Sequence, residues 1–275
     1  MRWVAAVRVV AAVLVARAVL VVPADAIGAV HAAGAAGPGG TVHAAGASGP
    51  VGAVHAAGAS GASGSVARLA GFVALRDIDP SVVEDIRYAG ARNFTGAVVD
   101  GYEEPVCLLA RPAAEALRRA QRELLRSGYS LKVFDCYRPQ RAVDRFVRWA
   151  GDAADQSTKA EFHPGVDKSR LIPEGYIAAR SGHSRGSTVD VTVVRLPARR
   201  ELDMGTAFDF FDSLSHTDDP RVSGTVRENR GMLKGVLGAQ GFVNLPEEWW
   251  HFTYRPEPHP DTYFDFPVAV ATVRP

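Results

Sequence analysis

The composition of the chain changes sharply near residue 70, and this change constrains the fold more than any other feature of the sequence. Residues 1–65 are mostly Ala, Gly and Val, whereas nearly all acidic and aromatic side chains and both cysteines come later. A segment with so few bulky apolar side chains cannot bury enough surface to offset the entropy lost on ordering. We therefore predict a single folded domain over residues 71–275, starting near Phe72, behind a disordered N-terminal extension.

The extension contains an internal repeat. A hexapeptide, Ala or Thr followed by Val-His-Ala-Ala-Gly, begins at residues 29, 41 and 53 and so returns with a period of twelve. Low-complexity sequence of this kind is typical of a flexible tether, and residues 27–70 are therefore interpreted as a linker. The histidines of the repeats, His31, His43 and His55, are an alternative metal-binding motif, although a tether explains the composition better.

The first 26 residues have features of a secretory signal: a basic start, a short apolar core and small residues before a cleavage site. Arg8 and Arg17 interrupt the run of about 20 apolar residues that a membrane helix needs, so no stable membrane span is expected. An exported or cell-envelope location follows from this interpretation. The alternatives are a cytoplasmic protein, or upstream sequence translated from a wrongly assigned start codon.

The net charge argues against a nucleic-acid partner, and the cysteine count argues against a disulfide scaffold. The chain has 31 basic and 30 acidic residues, so its net charge of +1 gives no electrostatic reason to expect nucleic acid as a partner. Cys107 and Cys136 are too few for a disulfide scaffold and lack the spacing of a metal ribbon. They either pair, if the protein is exported, or remain as buried thiols. The sequence does not determine an oligomeric state.

Hydrophobic periodicity after residue 71 predicts helices and short strands without regular alternation. This pattern favours an α+β domain with a small central antiparallel or mixed sheet flanked by helices. The helices are expected at residues 112–127, 139–150 and 228–238, and strands at 73–77, 131–135, 188–195 and 251–254.

The connecting segments also carry expectations. Residues 157–174 are polar and predict a loop over the site, and the aromatic tail at 263–267 is expected to pack back on the domain. Leu125 is placed on the buried face of the first long helix. The histidines outside the site are expected to face solvent; they are His163, His216 and His259.

Two short patterns carry candidate chemistry. His183 and Asp190 are seven residues apart, which suits a loop that leads into a strand, and Gly182 and Gly186 allow the backbone to bend between them. Near the C-terminus, a Glu-x-x-His pattern ends at His251, but the helical His-Glu-x-x-His motif of zinc proteases is absent. Each pattern alone is a weak signal, because most such pairs bind nothing.

The longer strings around these patterns are specific. SGHSRGSTVD at 181–190 and EWWH at 248–251 resemble the zinc signatures of VanX-type D-alanyl-D-alanine dipeptidases, within the zinc D,D-peptidase family. The resemblance extends over residues 73–267 and includes further strings in the family's order. These are NFTG at 93–96, DGY at 100–102, DCYRPQRAV at 135–143, DMG at 203–205, FDFFD at 208–212 and YFDFP at 263–267.

The resemblance implies a zinc cleft with one Zn²⁺ per chain and a small D,D-dipeptide as substrate. By matching position, it implies that His183, Asp190 and His251 bind zinc, that Glu248 is the general base and that Arg138 stabilises the oxyanion. It also implies that Asp209 binds the substrate's amino group and that Tyr88, Asp135 and Ser181 line the pocket. Three protein ligands leave a fourth tetrahedral position for water, as in catalytic zinc sites.

Simpler interpretations remain open for two of these residues and for the function. Arg138 before Pro139 can serve only a local ion pair, and Asp209 between two phenylalanines can point out of an apolar turn. The leading functional hypothesis is zinc-dependent hydrolysis of D-Ala-D-Ala in cell-wall peptide metabolism. The alternatives are a D,D-carboxypeptidase that trims peptidoglycan stem peptides and a non-catalytic, zinc-stabilised module that binds wall peptides.

Overall fold

A mixed β-sheet forms the centre of the domain in the computed structural model, which describes residues 71–274. The predictions for residues 1–26 and 27–70 lie outside the described residues. The strands are β1 (Phe72–Ala74), β2 (Val83–Glu84), β3 (Leu108–Ala110), β4 (Tyr129–Asp135), β5 (Thr188–Arg195), β6 (Arg200–Glu201), β7 (Phe242–Asn244) and β8 (His251–Tyr254). The helices are α1 (Leu75–Ile78), α2 (Arg111–Arg126), α3 (Gln140–Gly151), α4 (Lys159–Phe162), α5 (Lys168–Leu171) and α6 (Gly224–Gly238).

The main sheet has the strand order β2-β4-β5-β8-β7, with β6 paired to β5. Strands β2 and β4 are parallel, and the other pairs are antiparallel. Strand β5 lies in the middle of the sheet, and its first seven residues are all buried. Its run of β-branched side chains suits this position, because such residues pack well on a pleated, buried surface. Strands β1 and β3 form a separate two-stranded sheet. The predicted α+β class is confirmed.

Helices cover the sheet through their apolar faces. Helix α2 contacts β4 and α6, and α6 also contacts β7. The predicted helices are confirmed to within a few residues, but Leu125 of α2 is 37% exposed, so its predicted burial is wrong. It lies one position beyond the buried Leu124, which turns its side chain about 100° away from the stripe that faces the sheet. No described helix is long and apolar enough to cross a membrane.

Three further local predictions need correction. The strand expected at 73–77 is β1 followed by the single turn of α1, and the expected loop at 157–174 contains the one-turn helices α4 and α5. His163 is fully buried rather than solvent-facing. Its Nδ1 lies 2.8 Å from the carbonyl oxygen of Val166, and its ring meets the edge of Trp149. Sequence periodicity could not show this, because the burial comes from tertiary contacts.

Two long-range links converge near the C-terminal end of β4. Cys107, just before β3, forms a disulfide with Cys136, just after β4, which decides between the two alternatives for the cysteines. The aromatic tail packs back as predicted: the ring of Phe266 stacks on Tyr137 with centroids 4.0 Å apart, and Val268 pairs with Tyr102. Both links end close to the C-terminal end of β4, where the candidate site lies.

Candidate active site

The sheet register sets three acidic and imidazole side chains in one row. Asp135 of β4 is paired with Asp190 of β5, and Asp190 is paired with His251 of β8. His183 belongs to the short 3-10 helix Gly182–Arg185, which comes just before β5. The loop before a central strand and the start of a neighbouring strand therefore meet at one end of the sheet.

His183, Asp190 and His251 form a compact triangle, named here the ligand cluster. Nε2 of His183 lies 3.3 Å from Oδ1 of Asp190 and 3.3 Å from Nδ1 of His251, and the third side, from His251 Nδ1 to Asp190 Oδ1, is 3.2 Å. Donors placed tetrahedrally at about 2.0–2.1 Å from a zinc ion are about 3.3–3.4 Å apart. The spacing and the donor types therefore fit such an ion.

The surroundings of the cluster also favour a cation. Asp190 Oδ1 is buried and accepts no hydrogen bond from the described residues. Burial lowers the pKa of His251, but the carboxylates of Asp190 and Glu248 outweigh this effect and raise it to about 9. For Asp190, burial raises the pKa, and His183 and His251 more than reverse that shift. A positive charge at the centre of the triangle is thus stabilised, and a metal ion supplies it without a proton.

His183 is held in the orientation that a ligand needs. Its Nδ1 lies 2.7 Å from the carbonyl oxygen of Cys136, so the proton resides on Nδ1 and leaves Nε2 free to bind a metal. The hydroxyl of Ser181 accepts a hydrogen bond from the backbone N–H of His183 at 3.2 Å. Gly186 ends the turn at φ 80°, where a Cβ would lie 2.3 Å from Cε1 of Phe72. The glycine at this position is therefore required on both backbone and packing grounds.

Glu248 lies beside the ligand cluster. Its Oε2 is 3.3 Å from Nδ1 of His251, and its side chain is 18% exposed and lines the cavity described below. A carboxylate at this place can exchange a proton with a water molecule next to the cluster, which is the chemistry of a general base.

Arg138 is held on four sides. Its Nε donates to Asp135 Oδ2 at 2.9 Å, and its Nη2 lies 3.4 Å from Asp190 Oδ2. The guanidinium carbon is 5.1 Å from the ring centroid of Tyr88 and 5.0 Å from that of Phe146. The ion pair considered from the sequence therefore exists, and the same side chain also lines the cavity.

Asp209 is buried and turned into the cavity rather than out of an apolar turn. Its backbone is left-handed at φ 61°, an uncommon conformation for a residue other than glycine. The hydroxyl of Tyr88 donates to Asp209 Oδ2 at 2.9 Å. Burial and the nearby Asp190 carboxylate raise the pKa of Asp209 well above its usual value. Such strain and charge burial are common at sites that bind ligands.

These side chains share one cavity of about 200 Å³. Tyr88, Arg138, Ser181, Asp209 and Glu248 line it, together with Asp190 and His251 of the ligand cluster. Its apolar wall includes Phe94, Phe146, Ile177, Phe211 and Trp250. Asp135, expected to line the pocket, is fully buried, is not among the residues that line this cavity and contacts Arg138 from behind.

Sequence reasoning missed three features of the site. Tyr102 donates to Asp135 Oδ1 at 2.6 Å, the Cys136 carbonyl orients His183, and Phe94, Phe146 and Phe211 belong to the apolar wall. The DGY string at 100–102 was a signal for Tyr102, but its role becomes visible only when the contact to Asp135 is known.

Comparison with known proteins now identifies the family. A model of the peptidase M15 family, described as D-Ala-D-Ala dipeptidase, matches residues 68–269. The chain belongs to the D-Ala-D-Ala dipeptidase family. This family match covers every residue of the ligand cluster and of the cavity, and it confirms the resemblance seen in the short sequence strings.

Several members of the dipeptidase family are similar over most of their own length. The D-alanyl-D-alanine dipeptidase of Streptomyces coelicolor is 44% identical over 185 residues, which are 67% of this chain and 92% of that protein. The enzyme of the same name from Enterococcus faecalis is 41% identical over 199 residues, 72% of this chain and 98% of the relative. That of Escherichia coli is 33% identical over 180 residues, 66% and 82% of the two chains.

Proposed function

We propose that this chain is a zinc-dependent dipeptidase that hydrolyses D-Ala-D-Ala to two molecules of D-alanine. The shared name of the relatives supports the substrate, and the spacing of the ligand cluster supports the metal. The observation that carries the proposal is the meeting of Glu248, Arg138 and Asp209 in one small cavity beside that cluster.

The residues of the cavity have different roles in the reaction. His183, Asp190 and His251 would hold a zinc ion, which would supply Lewis acidity and make water acidic enough to react near neutral pH. Glu248 accepts the proton of the attacking water and delivers it to the amine that leaves. The guanidinium of Arg138 donates to the substrate carbonyl oxygen as it becomes negative. The loss of one such donor typically costs 10²–10³ in rate, or about 3–4 kcal/mol.

Recognition of the free amino group favours a dipeptidase over a D,D-carboxypeptidase. The buried carboxylate of Asp209 offers a charge-assisted hydrogen bond to an ammonium group. The cavity of about 200 Å³ is smaller than the roughly 300–1,000 Å³ of typical drug-sized ligand sites, which suits a substrate as small as a dipeptide. N-acetyl-D-Ala-D-Ala tests this choice. We expect it to be a poor substrate, and its ready cleavage would favour the carboxypeptidase.

The decisive first experiment combines metal removal with stereochemistry. Protein stripped with a chelator is expected to lose D-Ala-D-Ala hydrolysis and to regain it on addition of one equivalent of Zn²⁺, while the L,L isomer remains intact. If the zinc-loaded protein binds D-Ala-D-Ala in calorimetry but never cleaves it, the non-catalytic binding module is the correct interpretation.

A substitution then tests the general base. Glu248→Gln removes the proton acceptor but keeps the size of the side chain, so kcat is expected to fall at least about 100-fold while the zinc content stays the same. Glu247→Gln is the matched control, because Glu247 is the adjacent, exposed glutamate outside the cavity. Unchanged turnover in Glu248→Gln would remove the base from the mechanism.

We propose further that the protein works in an oxidising compartment, exported or in the cell envelope. The disulfide between Cys107 and Cys136 supports this, since such bonds persist mainly outside the cytoplasm. The test is alkylation of free thiols in cells quenched with acid, followed by mass spectrometry. An intact bridge is expected, and two alkylated cysteines would favour the cytoplasmic alternative.

A further inference from the structure

We propose that Tyr102 is a positioning residue for the reaction: its hydroxyl holds the Asp135 carboxylate, which in turn fixes the guanidinium of Arg138 toward the cavity. The inference rests on the proposed function in one respect, because it takes Arg138 as the group that meets the negative oxygen. Tyr102 itself does not line the cavity, so it acts only through its neighbours.

The contacts form a continuous chain. The Tyr102 hydroxyl donates to Asp135 Oδ1 at 2.6 Å, and Asp135 Oδ2 accepts from Arg138 Nε at 2.9 Å. The two oxygens of the carboxylate therefore have different partners, and Oδ2 also lies 3.4 Å from Nδ1 of His183. Among the described residues, the Tyr102 hydroxyl is the one hydrogen-bond donor that reaches Oδ1. Without it, the carboxylate can rotate about its Cβ–Cγ bond and carry Arg138 with it.

Because both residues are buried, the hydrogen bond from Tyr102 to Asp135 is difficult to replace. Asp135 is 0% exposed and Tyr102 is 5% exposed, so water cannot easily replace a lost hydroxyl. A buried carboxylate without a full set of donors is destabilised far more than an exposed one. Burial and the adjacent Asp135 raise the pKa of Tyr102 well above its usual value, and the phenol therefore stays a donor at all ordinary pH values.

The backbone around Tyr102 is held by two distant parts of the chain. Val268 of the C-terminal tail pairs with Tyr102, and its N–H donates to the carbonyl of Gly101 at 2.8 Å. Gly101 is left-handed at φ 90°, and a Cβ there would lie 2.7 Å from Cγ of Pro139. Because Pro139 directly follows Arg138, this close approach sets the distance between the tyrosine loop and the arginine. The DGY string thus has a physical explanation.

The main test compares Tyr102→Phe with Tyr137→Phe. Both changes remove one buried hydroxyl near the tail, but the Tyr137 hydroxyl bonds only to the backbone of Phe266 among the described residues. Tyr102→Phe is expected to lower kcat for D-Ala-D-Ala roughly 10–100-fold, as losses of supporting contacts at active sites do, with KM nearly unchanged. Tyr137→Phe is expected to keep kcat within about 3-fold.

A double-mutant cycle separates positioning from a general effect on the fold. If Tyr102 acts through Arg138, Tyr102→Phe adds less than about a 2-fold loss of kcat in an Arg138→Ala background. An equal loss in both backgrounds, or no loss in the wild-type background, would overturn the proposal. Should Tyr102→Phe fail to fold, Asp135→Asn breaks the chain of contacts at its next member. Because Asp135 Oδ2 also lies 3.4 Å from Nδ1 of His183, this variant must keep its zinc content for the comparison to apply.

A measurement that does not depend on turnover distinguishes failure of the positioning role of Tyr102 from failure of the proposed function. In protein labelled with ¹⁵N-arginine, the Nε–H signal of Arg138, identified by its loss in Arg138→Ala, is expected to exchange slowly with water in wild type and Tyr137→Phe. In Tyr102→Phe it is expected to exchange at least about 10-fold faster, and an unchanged rate would contradict positioning. Wild-type protein that fails to hydrolyse D-Ala-D-Ala would refute the proposed function, while this signal would still decide the role of Tyr102.

Discussion

Reduction of the disulfide is expected to destabilise the folded domain by an amount set by the loop it closes. Cys107 and Cys136 are 29 residues apart. In the chain-entropy description, a cross-link over such a loop lowers the entropy of the unfolded chain by about 12 cal/mol/K, which is about 3.6 kcal/mol at 25 °C. This is a large share of the roughly 5–15 kcal/mol by which whole domains are stable.

The assay is urea denaturation of the oxidised protein and of the same protein reduced with a phosphine, followed by tryptophan fluorescence. A phosphine is preferred to a dithiol because thiolates bind zinc. The midpoint is expected to fall on reduction with little loss of cooperativity. The variant with both Cys107→Ala and Cys136→Ala is the control, since its midpoint must not respond to the reductant.

The same experiment tests how far the bridge supports the ligand cluster. The carbonyl of Cys136 orients His183, but the backbone N–H of Tyr137 also donates to the carbonyl of Leu108 at 2.9 Å and holds this segment without the disulfide. We therefore expect the reduced protein to keep its metal at 25 °C. A stability loss below about 1 kcal/mol would refute the loop argument, and stoichiometric loss of metal would show that the bridge shapes the site.

Three further outcomes are expected. Asp209→Asn should raise KM. Burial and the Asp190 carboxylate raise the pKa of Asp209 above that of the unfolded chain (about 3.9), so ionisation of Asp209 opposes folding of the wild type above about pH 4. The stability of Asp209→Asn relative to wild type should therefore rise with pH, by at most about 1.4 kcal/mol per pH unit, and a difference that stays constant from pH 4 to 7 would contradict this. Gly186→Ala should cost about 2–5 kcal/mol in urea denaturation through its left-handed backbone and overlap with Phe72. Leu131→Ala, in the core at 0% exposure, should cost about 2–5 kcal/mol without changing KM.

Local sequence patterns predicted most of the secondary structure because those patterns reflect local forces. The boundaries of β5 and β8 are those expected from their β-branched and aromatic residues, and α2 begins one residue before its predicted start. The errors occur where a tertiary contact overrides the local pattern. The largely polar segment 157–174 contains single helical turns, and His163 within it is buried against Trp149.

The candidate site was predicted from short strings rather than from periodicity. The structure brings His183, Asp190 and His251 together and turns Glu248, Arg138 and Asp209 into the adjacent cavity. It places Asp135 behind Arg138 instead of in the cavity wall. A string match shows which residue types recur at a position, but whether a carboxylate faces the cavity or a neighbouring arginine depends on side-chain packing.

The sequence by itself determined which of the described segments are helices and strands, and which family the chain belongs to. These depend on composition, on periods of two and 3.6 residues and on short strings. The tertiary structure alone decided the row of Asp135, Asp190 and His251, the pairing of Cys107 with Cys136 and the link from Tyr102 to Arg138. Such contacts join residues tens of positions apart, and their distances follow from strand order and register, which no local pattern encodes.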